Sequence, residues 1–91
     1  MLTKDDALNI AKKLHAEIKK QSTHHDYACI YEAGQLVAKF GIRRGSNRNQ
    51  GHGHIPSALK VRPRQAQDLA HCPMSRAEWI EWMQEKGYIA P

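Results

Sequence analysis

Apolar positions recur with a helical period at the start of the chain. Ala7, Ala11, Leu14 and Ile18 fall on one stripe, with Leu8 and Ile10 beside it, while Lys12, Lys13, Lys19 and Lys20 take other faces. That pattern predicts an amphipathic helix. Thr3 with Asp6 three positions on supplies a capping box, and Asp5 and Asp6 suit the positive end of the helix dipole. The period then changes. Residues 21–26 read as a connector, after which Tyr27-Ala-Cys-Ile-Tyr31 and Leu36-Val-Ala-Lys-Phe-Gly-Ile42 are rich in aromatic and β-branched side chains. Glu32-Ala-Gly-Gln35 separates them, and Gly34 is free to take the positive φ of a tight turn, so a β-hairpin is predicted. In its second strand Leu36, Ala38, Phe40 and Ile42 alternate with Val37, Lys39, Gly41 and Arg43. One face should be buried and the other open and basic, with Lys39 and Arg43 projecting together.

Residues 44–54 hold Gly, Ser, Asn, Gln, Arg and His without a hydrophobic anchor, and predict a flexible basic loop at about 43–55. Apolar character resumes at Ile55, Ala58, Leu59 and Val61, punctuated by Pro56 and Pro63. A short third strand at 59–61 is expected at a sheet edge, where proline is tolerated. Pro63 suits the first turn of a helix that runs to about Ala70, buries Ala66, Leu69 and Ala70, and is closed off by Pro73. In the last helix Ser75 caps, Glu78 completes a capping box and Met74 can staple onto Trp79. Trp79, Ile80, Trp82 and Met83 form its apolar face, and Gly87 with Tyr88 predicts a Schellman ending against Met83. The expected fold is a two-layer α+β domain over 1–91 in the order α-β-β-(β)-α-α, an antiparallel hairpin or three-stranded sheet packed on helices.

At 91 residues the chain is one small domain, and its 41% apolar content argues for folding rather than global disorder. No apolar run approaches the roughly 18 residues of a membrane span, and Asp5 and Asp6 stand where a signal peptide would be basic then apolar. A cytoplasmic protein that does not engage a membrane is expected. Cys29 and Cys72 then read as reduced packing residues.

Charge adds the sharper signal. Residues 33–67 contain no acid but hold Lys39, Arg43, Arg44, Arg48, Lys60, Arg62 and Arg64, half of the chain's 14 Lys and Arg, with His52 and His54 among them. A one-sign cluster concentrates and steers polyanions, so nucleic acid is the leading partner. An acidic protein surface is the alternative partner, and a solubilising loop the bland reading. The aromatic residue nearest the segment is Phe40, whose alternation points it inward, so recognition of backbone and shape is expected rather than base stacking. His52-Gly-His54 with His71-Cys72 lacks zinc-finger spacing, and no strand-Gly-loop-Lys-Ser/Thr arrangement exists for nucleotide phosphates. No metal or cofactor is expected.

Ser22-x-His24-His25-x-Tyr27, followed by a hairpin with a glycine turn, a basic stretch, an apolar-Lys segment ending at Pro63 and a Leu-Ala helix, resembles the HicA-type mRNA interferase toxins. The resemblance implies a fold like that of double-stranded-RNA-binding domains and a histidine near the first strand that serves in RNA cleavage, mapping onto His24 or His25. An antitoxin would then be a protein partner. Metal-free cleavage through a 2′-hydroxyl needs a base, an acid and cations for the developing charge. His24 or His25 are candidates for the base, His52 or His54 for the acid, and Lys39, Arg43 or Arg44 for the charge. The competing reading is a non-enzymatic interaction module of a phage or mobile element that occupies a nucleic-acid-handling complex.

Overall fold

The computed structural model describes residues 2–20, 25–43, 51–71 and 74–89. Thr3 Oγ1 accepts the Asp6 amide at 3.2 Å while Asp6 Oδ2 accepts the Thr3 amide at 3.0 Å, and this capping box opens α1 (Lys4–Lys13). The helix stops earlier than its apolar stripe suggests. His15 takes a left-handed φ of 55°, and the Ala16 amide donates back to the Ala11 carbonyl at 2.9 Å. Ile18 therefore leaves the helix and enters β1 (Glu17–Lys19), a short edge strand whose Ile18 pairs with Ala28.

Strands β2 (His25–Glu32) and β3 (Gln35–Arg43) form the expected hairpin, and the sheet is antiparallel in the order β1-β2-β3. Ala33 at φ 53° and Gly34 at φ 80° make a two-residue turn with both central φ positive, the twist that suits a hairpin. Glu32 faces Gln35 and Tyr31 faces Leu36, but Ile30 faces Ala38. This bulge skips one residue of β3. It also removes Leu36 from the buried stripe expected for it: Ala38, Phe40 and Ile42 are buried, whereas Leu36 is 50% exposed.

The third strand expected at 59–61 is corrected. Those residues end α2 (Ile55–Leu59), a short helix with Pro56 in its first turn and Lys60 in the left-handed region at φ 60°. Its last carbonyls are met from another element: Trp79 Nε1 donates to the Leu59 carbonyl at 3.1 Å and Trp82 Nε1 to the Lys60 carbonyl at 2.8 Å. Helix α3 (Pro63–Ala70) and helix α4 (Arg76–Glu85) match their expected bounds. Ser75 and Glu78 form the capping box on α4. Gly87 at φ 80° ends it, with the Tyr88 amide on the Met83 carbonyl at 2.8 Å and the Gly87 amide on Gln84 at 3.0 Å, a Schellman motif. Pro73 and Cys72 lie outside the described residues.

The order is thus α-β-β-β-α-α-α, a two-layer α+β domain. Ala28, Ile30, Ala38, Phe40 and Ile42 on one sheet face share a core with Ile10, Leu14, Leu59, Leu69, Trp79 and Met83 from the helices. Arg76 ties three elements at its border, donating to the Leu14 carbonyl (3.2 Å), the Tyr31 carbonyl (3.0 Å) and Glu32 Oε2 (2.8 Å). Among the described residues no helix is long and apolar enough to cross a membrane.

Candidate nucleic-acid interface

Strand alternation divides β2 in two. Ala28 and Ile30 point into the core, so His25, Tyr27, Cys29 and Tyr31 line the opposite face of the sheet. Cys29 is buried yet belongs outside the core cluster, as that parity requires. The strand register then brings neighbours to this row. On β3, Arg43 stands directly opposite His25, Gly41 opposite Tyr27 and Lys39 opposite Cys29. On β1, Lys19 stands opposite Tyr27 and Glu17 opposite Cys29. A row of rings along the middle strand is flanked by cations on both sides.

The long side chains reach past their direct partners to rings further along β2. Lys19 Nζ donates to Tyr31 Oη at 2.6 Å and lies 5.1 Å from that ring's centre, while Lys39 Nζ lies 5.4 Å from the centre of Tyr27. The hydrogen bond to Tyr31, more than any other influence, raises the Lys19 pKa above the usual lysine value. Its charge is retained throughout the neutral range, with Glu17 4.0 Å away as the acid of this face. Gly41 lets the rings approach β3: a Cβ there would sit 3.3 Å from His25 Cδ2 and 3.7 Å from Tyr27 Cε1. His25 and Tyr27 have ring centres 6.4 Å apart, tilted by 35°.

Two histidines occupy the free edge of β3. The Arg43 amide donates to His52 Nε2 at 3.1 Å, and His54 Nε2, 2.8 Å from the Gly41 carbonyl, donates to it because a carbonyl only accepts. His52 is fully buried, and its own amide donates to the Leu2 carbonyl at 2.8 Å. The described end of the basic segment, residues 51–54, thus holds a buried side chain, and it is a histidine rather than a hydrophobe. By accepting the Arg43 amide at the strand edge, His52 acts as a structural group turned into the molecule. His54 remains exposed beside it, with the ring centres 5.7 Å apart.

No family model, curated protein or solved structure matches this chain.

The chemistry of the face is accordingly read from its side chains. Of the residues singled out by sequence, His25, Lys39 and Arg43 come together here, with His54 at the adjoining strand edge. His24, Arg44 and Arg48 lie outside the described residues. Lys60, Arg62 and Arg64 are exposed on the link between α2 and α3 and on α3 itself, in the helical layer. Lys60 leans over Tyr88 at 5.6 Å, and the Arg62 amide donates to Gln65 Oε1 at 2.9 Å. The basic segment, contiguous in sequence, is divided between two layers of the fold. Among the described residues no group of three or more His, Cys, Asp or Glu side chains could hold a metal ion.

The sequence does not single out Tyr27 and Tyr31, and Lys19 reads there as one of four lysines on the first helix. The tyrosines stand two and six residues after His25 and so share its strand face, but the company they keep with Lys39 depends on the register across the hairpin. Lys19 was assigned to the first helix because Ile18 continues that helix's stripe.

Proposed function

We propose that this protein binds RNA through the outer face of its sheet. The observation that carries the reading is the flanking of the His25, Tyr27 and Tyr31 row by Lys19 on one side and Lys39 and Arg43 on the other. Exposed Lys39 and Arg43 side chains supply point-charge and forked contacts to phosphate oxygens, and imidazole and phenol groups supply hydrogen bonds to sugar or base. The reading fits a protein of the cytoplasm. Fluorescence anisotropy with a labelled RNA tests it: Lys39→Ala and Arg43→Ala should each weaken binding and lower the slope of log affinity against log salt by about 1. Unchanged affinity and slope in the double variant would remove the face from RNA binding.

One observation favours cleavage as a second activity of the same face. His25 and Arg43 are a directly opposed pair, and His54 bonds the carbonyl of Gly41, two residues before Arg43. In this reading His25 takes the proton of a 2′-hydroxyl as its oxygen bonds to phosphorus. The bond to the 5′-oxygen breaks, that oxygen leaves with the Nδ1 proton of a His54 imidazolium whose Nε2–H stays on the Gly41 carbonyl, and a 2′,3′-cyclic phosphate remains. Arg43 and Lys39 stabilise the charge on the phosphoryl oxygens. His25→Ala should then abolish RNA degradation while binding persists. If the parent protein leaves RNA intact, the cleavage reading fails and a non-catalytic RNA-binding module is left.

A further inference from the structure

We infer that the outer sheet face is a platform for single-stranded RNA, with one base stacked on Tyr27 and another on Tyr31 and the phosphates held by Lys39, Arg43 and Lys19. This rests on the RNA-binding reading and adds the form of the ligand. Tyr27 and Tyr31 are four residues apart on one strand and on one face of it, which separates their backbones by roughly 13 Å along β2. Neighbouring bases in a duplex strand are about 3.4 Å apart and are closed off by their partners above and below. A duplex can therefore offer its backbone to this face but no base to either ring. A single strand with its bases splayed can span the two rings.

The rings are also equipped for that ligand. Each ring has an ammonium over it at cation–π distance, Lys19 at 5.1 Å from the Tyr31 centre and Lys39 at 5.4 Å from the Tyr27 centre, so a phosphate that draws the ammonium aside opens the ring to the attached base. Arg43 extends the cationic edge past Tyr27 toward His25. Glu17, opposite Cys29, stands on the β1 side between the two tyrosines, which directs the phosphates toward β3. The bulge between Ile30 and Tyr31 is what joins the two chemistries. The pairing at the turn, Glu32 with Gln35, continued without it would set Tyr27 opposite Phe40 and separate the tyrosines from Lys39 and Arg43.

A competition experiment separates this inference from the reading beneath it. A fluorescein-labelled, unstructured 12-nucleotide RNA is bound to the parent protein and displaced either by the same strand unlabelled or by that strand annealed to its complement. The single strand is expected to compete at least tenfold better. Tyr27→Ala and Tyr31→Ala should each weaken binding by about fivefold to a hundredfold, the range of one lost base stack, while Tyr27→Phe, which keeps the ring, holds the affinity within about twofold. Equal competition by the duplex would overturn the inference, as would folded Tyr→Ala variants that bind like the parent. If Lys39→Ala still weakens binding in that case, RNA binding stands and stacking falls. If neither form of RNA binds, both fall. The competition uses only the parent protein, so it decides even where a tyrosine variant does not fold.

Discussion

The two faces of the β2–β3 hairpin are built from alternate residues of the same strands and do opposite work. Inward, Ala28, Ile30, Ala38, Phe40 and Ile42 are buried against the helices. Outward, Tyr27, Lys39 and Arg43 remain at least partly open, and Gly41 leaves room for the rings of His25 and Tyr27. Adjacent positions in sequence should therefore respond to substitution in opposite ways. The inner face decides whether the chain folds; the outer face, in the proposed reading, decides what the folded chain attracts.

The largest effect that could break this contrast is at Phe40. Phe40→Ala should cost about 3–5 kcal/mol of stability through lost burial and the cavity left behind. Lys39→Ala, one residue away, should stay within about 0.5 kcal/mol while weakening RNA binding. Urea unfolding of the two variants beside their RNA titrations checks both halves, and comparable stability losses would contradict the division. His52 sharpens the boundary, because it lies in the basic segment yet is fully buried with the Arg43 amide on its Nε2. His52→Ala should cost roughly 2–4 kcal/mol from the unsatisfied amide and the void, placing it energetically with the inner face. A His52→Ala protein that unfolds at the parent's urea midpoint would instead assign it to the outer one.

The smallest effect concerns the turn that both faces share. Ala33 holds φ 53°, a left-handed conformation that costs a residue with a Cβ. Ala33→Asn, which suits that position of the turn, should raise stability by roughly 0.5–1 kcal/mol and leave RNA affinity unchanged. A thermal melt beside an anisotropy titration reads both, and a stabilised variant with altered affinity would show that the turn couples to the outer face.

Legibility in the sequence followed locality. Helices α3 and α4 were legible, because Pro63, Ser75 with Glu78, and Gly87 each fix a terminus through chemistry within a few positions of it. The hairpin and the shared face of Lys39 and Arg43 were legible for the same reason. What escaped was decided from a distance. Residues 17–19 become a strand by pairing with 27–29, and α2 is completed by indoles of α4 about twenty residues further on. The outer face itself hides behind a bulge: which residues of β2 accompany Lys39 and Arg43 depends on one skipped residue of β3 that no local signal in 30–38 announces. His52 escaped because histidine in a polar, glycine-rich stretch reads as solvated, and its burial depends on the edge of β3 and the backbone of Leu2.

The charge cluster met in sequence as one segment is divided by the fold between the outer sheet face and the α2–α3 link. Titration of the isotopically labelled protein with a 12-nucleotide single-stranded RNA, followed by two-dimensional NMR of its aromatic and amide groups, tells the two apart most directly. The ring signals of Tyr27 and Tyr31 and the amides of Lys39, Gly41 and Arg43 should move together with a common affinity, while Lys60, Arg62 and Arg64 stay in place. Shifts confined to Lys60, Arg62 and Arg64, or the absence of saturable shifts anywhere, would contradict the outer face as the RNA-binding surface.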